Sequence, residues 1–339
     1  MFVLMLLLAL SYATFIGSTL VKPVKTLSRA ADHYIENRTA GNGDQTDFFR
    51  RLNIRTGGDE IERLAESLKK MENELNSYIE NIKVISSEAA RIRTELNLAK
   101  RIQEETLPST FPPFPKRSDI DLFALMHPAK EVGGDFYDFF LIDGDHLALV
   151  VADVSGKGVP AALFMMTSKT LIGTYGRGYL SPAKILHDVN NILCEGNRLD
   201  YFVTCWLAIV ELSTGKTVYA NAGHEKPLFF HDGKWEFITT KHGFVLGGLE
   251  DISYKDYELT LSPGDIIFQY SDGIPEAMNA EKEQYGPVRL IEACEKAGKA
   301  SAQEFLTDVR ADLSGFTGDT DQFDDITMLC YMFRNTENV

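Results

Sequence analysis

Cysteine and positive charge are both scarce in this 339-residue chain. The four cysteines, Cys194, Cys205, Cys294 and Cys330, show no C-x-x-C spacing, which predicts buried free thiols in a reducing compartment. Lys and Arg number 34 against 49 Asp and Glu, a formal net charge of −15. That balance argues against nucleic acid as a partner, because phosphate backbones select basic faces. The glycine patterns of nucleotide sites are also missing. Gly156-Lys157-Gly158 fits neither G-x-x-x-x-G-K-[ST] nor G-x-G-x-x-G, since Ala161 stands at the last glycine position. No Ser-His-Asp or Cys-His order suggests covalent catalysis. What remains is a 44% hydrophobic chain, long enough for two or three domains of which one can bury a full core.

Charge is absent altogether from Met1 to Val21. As a helix this stretch spans about 31 Å at 1.5 Å per residue, close to the hydrocarbon thickness of a bilayer. A signal peptide would want a basic region before the apolar one. Here Lys22, Lys25 and Arg29 follow it instead, which places the remainder in the cytoplasm. Residues 1–21 are therefore expected to be a transmembrane helix, anchoring the chain once in the cytoplasmic membrane. Because the chain opens within apolar sequence, an upstream sensor and a further span are expected to be missing.

Pro23 precedes an amphipathic stretch to about Asn37, a polar connector runs from Arg38 to Gly58, and Asp59-Glu60-Ile61 starts a second helix. This arrangement resembles a HAMP domain, the parallel four-helix relay behind membrane spans, over residues 22–75. In the second helix Ile61, Leu64, Leu68, Met71, Leu75, Tyr78, Ile82, Ile85, Ala89, Ile92, Leu96 and Ala99 alternate steps of three and four. Such a seam argues for a coiled coil and a homodimer rather than one amphipathic helix lying on its own globular domain. Residues 76–107 are the expected linker helix. It is broken at Phe111-Pro-Pro-Phe-Pro115, because proline lacks a donor and restricts its predecessor.

From about Ser118 the pattern changes. Strands are predicted over Ile120–Met126, Phe139–Ile142, Leu147–Val151, Phe202–Leu212, Thr217–Ala222, Leu228–Phe230, Ile266–Tyr270 and Ile326–Phe333. Helices are predicted from Gly158 to about Gly173, Pro182 to about Cys194, Pro287 to Lys296 and Ala302 to Leu313. Strand groups separated by helix pairs suit an α+β layered domain. Four acidic sites sit at strand ends beside glycines: Asp135 after Gly133-Gly134, Asp153 after the run to Val151, Asp272 before Gly273, and Asp324-Asp325 before Ile326. Each alone reads as a turn. Crowded together they would repel unless cations compensate them, and hard divalent cations take such oxygen ligands.

GGDFYDFF, ADVSGKGVPAAL, NAGHEKP, SDGIPEAMN and DDITML, in that order, resemble the SpoIIE/RsbU-type serine/threonine phosphatases of the metal-dependent PPM superfamily over about Ile120–Phe333. Glu95 to Pro108 resembles the linker that precedes such domains. The resemblance implies an αββα sandwich over residues 118–335, with metals at one edge between the sheets. It further implies two Mn²⁺ or Mg²⁺ ions held by Asp135, Asp153, Asp272 and Asp324 and faced by the Val154 carbonyl. Water activated by those ions would hydrolyse phosphoserine or phosphothreonine on a phosphorylated STAS-domain anti-sigma-factor antagonist. Asp325 is a weaker ligand candidate, Asp138 and His224 are read as structural, and Lys157 as a solvated surface lysine in preference to a contact for the substrate phosphate. Two other readings stand beside this one. Gly133-Gly134-Asp135-Phe136 partly resembles the GGDEF signature of diguanylate cyclases, although Phe136 replaces the Glu. A catalytically inactive signalling scaffold is the third.

Overall fold

A computed structural model describes residues 1–39, 48–56, 59–241 and 243–334. Parts of the connector expected over Arg38–Gly58 therefore lie outside the described residues. The chain divides into two compact units, Met1–Arg93 and Thr94–Val339.

In the first unit, α1 (Phe2–Ile16) continues through a π-helical turn at Gly17–Val21 into α2 (Lys22–Thr39). The sequence expectation of a proline ahead of a fresh helix is corrected here. Pro23 lies inside one unbroken helical run, and the widened turn immediately before it changes the backbone pairing that an interior proline would otherwise disrupt. The run from Phe2 to Asn37 is long and apolar enough to cross a membrane. Then α3 (Glu60–Thr106) extends for 47 residues. Asp59 caps its start, accepting from the Ile61 and Glu62 amides at 3.1 Å. The Glu72 carboxylate, 1% exposed, accepts from the backbone of Phe48, Phe49 and Arg50. Seam residues Leu64, Met71, Tyr78, Ile82, Ile85 and Ile92 are exposed along α3.

The second unit is built on two five-stranded sheets. One has the order β1-β10-β9-β6-β7 and the other β2-β3-β4-β5-β8. The strands are β1 (Ile120–His127), β2 (Phe136–Leu141), β3 (His146–Val154), β4 (Val203–Glu211), β5 (Lys216–Ala222), β6 (Leu228–His231), β7 (Lys234–Phe237), β8 (Tyr257–Thr260), β9 (Ile266–Tyr270) and β10 (Ile326–Phe333). All pairings are antiparallel. The helices α4 (Val159–Gly176) and α5 (Pro182–Gly196) cover the second sheet, and α6 (Gly286–Lys296) and α7 (Ala302–Thr317) serve the first. Ser181 and Ser301 cap α5 and α7 through their hydroxyls. One core, centred on Leu147–Ala152 and Trp206–Val210, fills the space between the sheets and under α4 and α5; a second lies beneath α6 and α7. This is the layered α+β sandwich expected from the strand and helix pattern.

Three elements differ from the sequence expectation. β2 begins at Phe136 rather than Phe139, because Asp138, which interrupts the apolar run, is accommodated inside by Lys169 at 2.9 Å. β7 and β8 were not anticipated. Each is a four-residue edge strand with one wet face, burial alternating from exposed to covered, so neither carries a hydrophobic run.

Candidate active site

The register of the two sheets dictates where the acidic residues meet. In one sheet β2 and β3 pair with Phe136 opposite Ala152, so Asp135 and Asp153 leave that pair at the same end. In the other, β9 and β10 pair with Tyr270 opposite Met328, so Asp272 and Asp324 leave at corresponding positions. Ser271 ties that junction: its amide donates to the Thr327 carbonyl at 3.0 Å, and its hydroxyl donates to the Asp325 carbonyl at 3.2 Å.

The four carboxylates act on one another across the gap between the sheets. Asp135 is 1% exposed and its Oδ2 has no hydrogen-bond partner. Burial, then Asp153 and Asp325, push its pKa well above the ordinary carboxylate value. Burial and the neighbouring Asp272 push Asp153 up to about 7. Burial and Asp324 push Asp272 up to about 6, with Lys157 opposing. Among the described residues no three carboxylate, histidine or cysteine side chains stand close enough to enclose one metal ion as placed. The donor chemistry nevertheless fits a divalent cation: an orphaned buried carboxylate oxygen on Asp135, beside the hard oxygens of Asp153 and Asp272, which neighbouring carboxylates make weaker acids. Gly134 completes the fit, since a Cβ there would lie 2.7 Å from the Val154 carbonyl oxygen. Only glycine leaves that oxygen uncovered.

Asp325 does different work. Its carboxylate accepts from the amides of Ala129 at 2.8 Å, Gly134 at 2.7 Å and Asp135 at 3.4 Å. It thereby fixes the loop that carries Asp135. Asp138, ion-paired with Lys169, faces α4 away from the cluster. His224 is 3% exposed and burial pushes it down to about 3, so it is neutral. Its amide donates to Asn221 Oδ1 at 2.7 Å, and its Nδ1 lies 2.8 Å from the Thr204 hydroxyl, as a loop-shaping residue requires.

Two placements depart from the sequence reading. Lys157 is not a solvated surface lysine. Its Nζ stands 2.9 Å from Asp324 Oδ2, donates to the Phe323 carbonyl at 2.7 Å, and lies 4.3 Å from the centre of the Phe323 ring. Gln103 was not singled out at all. It is 2% exposed; its Nε2 donates to the Gly133 carbonyl at 2.6 Å and its Oε1 accepts from the Gly133 amide at 3.1 Å. The available signal was positional: four residues after Ala99, the seam offers a polar residue where an apolar one is due, and Leu107 four residues later is buried in the core.

With this geometry in place, comparison with known proteins gives consistent results. A family model described as Stage II sporulation protein E (SpoIIE) matches residues 143–334. Protein IcfG of Synechocystis sp. is 28% identical over 313 residues, covering 84% of this chain and 48% of that protein. Phosphoserine phosphatase RsbU of Bacillus subtilis is 30% identical over 223 residues, covering 64% of each. The chain thus spans between about half and two-thirds of the length of these relatives. The SiaA-PP2C domain of Pseudomonas aeruginosa superposes with a TM-score of 0.65 at 24% identity, over 72% of this chain and 98% of that one. That likeness is one of fold.

Proposed function

The chain belongs to the SpoIIE family of PPM-type serine phosphatases, whose model matches more than half of it, and from that premise we propose that it is a divalent-metal-dependent phosphatase acting on phosphoserine or phosphothreonine of a signalling protein. The observation that carries the proposal is the meeting of Asp135, Asp153, Asp272 and Asp324 at four strand ends, each shifted in acidity or ion-paired through its neighbours.

In this reading those four aspartates and the Val154 carbonyl hold two Mn²⁺ or Mg²⁺ ions. When bound, such ions supply an acidified water and neutralise phosphoryl charge, so no protein nucleophile is needed. The chain's own residues have three tasks. Asp325 keeps the Gly134-Asp135 backbone in place through its three accepted amides. Burial of Asp135 and half-burial of Asp153 limit screening of the cluster by bulk water. Asn221 and neutral His224 hold the loop after β5 without offering a competing base. The partial likeness of residues 133–136 to a cyclase signature gives way to the family match.

The finer assignments rest on sequence pattern. Residues 1–21 act as a membrane anchor, 22–75 as a HAMP-like module, 76–107 as a coiled-coil linker and 118–335 as the phosphatase domain. The exposed apolar seam of α3 supports a homodimer. The proposed substrate is a phosphorylated STAS-domain protein of the anti-sigma-factor-antagonist type.

The test is phosphate release from such a phosphoprotein by the full chain, with Mn²⁺ or with EDTA. Release is expected only with metal, and Asp153→Asn and Asp272→Asn should each abolish it. Metal-dependent turnover persisting in both variants would overturn the assignment, and silence of the wild-type chain under all conditions would favour the scaffold.

A further inference from the structure

We propose that Lys157 is the residue of this chain that grips the phosphoryl group of the substrate. The proposal rests on the phosphatase reading above and adds to it the phosphate contact that the sequence left unassigned. A phosphate monoester presents three terminal oxygens. Those not met by cations need a donor at the mouth of the site, and an ammonium is a suitable point charge for that purpose.

Lys157 occupies that mouth. It sits in the short turn between β3, whose end carries Asp153, and α4. Gly156 at φ 85° and Gly158 at φ 83° bend the backbone on either side, a conformation that suits glycine. The ammonium reaches across to the far sheet, contacting Asp324 Oδ2 at 2.9 Å and the Phe323 carbonyl at 2.7 Å. It also favours the ionised form of Asp272, opposing the upward push of burial and Asp324. Its position is thus defined relative to both sheets' contributions to the cluster.

The group is held without being used up. An ammonium has three donors, and two are accounted for by Asp324 and Phe323. The Lys157 side chain is 30% exposed, so it is not sealed from an incoming ligand. The Phe323 ring centre, 4.3 Å from the ammonium nitrogen, favours the cation. When the charge of Asp324 is shared with a divalent ion, the carboxylate attracts the ammonium less. A phosphoryl dianion then becomes its better partner.

The competing role for Lys157 is mechanical: pinning the segment around Phe323 and Asp324 so that Asp324 is in place. The two roles separate in a binding experiment on the full chain with Lys157→Met and Lys157→Arg. Calorimetry would measure Mn²⁺ affinity first, then the affinity of the Mn²⁺-loaded protein for inorganic phosphate. Loss of one charge-assisted bond should weaken phosphate binding by about 10- to 100-fold in Lys157→Met, while Mn²⁺ affinity stays level or rises because a competing cation has gone. Lys157→Arg should retain most phosphate affinity. Unchanged phosphate affinity in Lys157→Met overturns the proposal, as does a loss that merely follows weakened Mn²⁺ binding. Because phosphate binding is read directly, a wild-type chain without turnover would defeat the phosphatase reading separately from this one.

Discussion

Gln103 links the end of the long helix to the loop bearing Asp135, and its removal has a calculable cost. Gln103→Leu fills much of the same space but deletes both bonds to Gly133, at 2.6 and 3.1 Å, in a position only 2% exposed. A buried donor and a buried acceptor are each left unpaired, at about 1–3 kcal/mol apiece. A total of about 2–6 kcal/mol is a large fraction of a typical domain stability, and for a unit of this size it should lower Tm by roughly 4–24 °C. Amide hydrogen exchange should quicken at Gly133 and Gly134. Gln103→Glu gives a sharper test. Its carboxylate can still accept from the Gly133 amide but opposes the Gly133 carbonyl, and burial raises its folded-state pKa above the ordinary ~4.3. The folded form then keeps a proton that the unfolded chain has lost. Stability is therefore greatest below pH ~4.3 and falls as pH rises through the folded value. Thermal unfolding from pH 8 to pH 5 should bring the Glu variant toward wild type while the Leu variant stays apart. A Leu variant within about 0.5 kcal/mol of wild type, with unchanged exchange at Gly133, would refute the reasoning.

Three further outcomes follow from the site and its surroundings. Asp153 and Asp272 are pushed up to about 7 and about 6; their stabilising contribution in metal-free protein is present near pH 4 and lost as pH rises through 6–7, so with EDTA the Tm should be higher at pH 5.5 than at pH 8, and Mn²⁺ titrated at pH 6 should release protons detectable by calorimetry in two buffers. A Cβ at Gly133 would lie 2.3 Å from Asp325 Oδ2, so Gly133→Ala should destabilise by about 1–3 kcal/mol and weaken Mn²⁺ binding by displacing the carboxylate that holds Gly134. Lys169→Met strands Asp138, which burial already pushes up and which is 8% exposed; urea unfolding should show a loss of about 3–5 kcal/mol, recovered in large part by adding Asp138→Asn.

The sandwich was legible because its central strands are continuous apolar runs punctuated by glycine and aspartate, as in Leu147–Val151 before Asp153 and Ile266–Tyr270 before Asp272. Strand ends were legible for the same reason, so the positions of the four aspartates could be named before their meeting was visible. Contacts that depend on distant chain segments were not legible. Lys157 looks solvated in sequence because its partners, Phe323 and Asp324, lie more than 160 residues away, in the loop that leads into β10 of the other sheet. Asp325 read only as a weaker ligand candidate because the amides it accepts from are about 190 residues away. Short edge strands such as Lys234–Phe237 escaped because an edge needs only one apolar face.

The dependence of the Asp135 loop on Asp325 has a consequence for the timing of synthesis. Gly134 and Asp325 are 191 residues apart, and β10 is the partner of both β1 and β9. Pairings of such separation form late, because the loop between them must close first. A nascent chain can place Asp135 and Asp153 side by side on β2 and β3 long before the ribosome has made Asp324 and Asp325. Until residues 324 and 325 emerge, the cluster lacks Asp324 and the acceptor that orders the Asp135 loop. Assembly of the cluster thereby reports that translation of the domain is complete, and a prematurely terminated chain should be inert rather than unregulated.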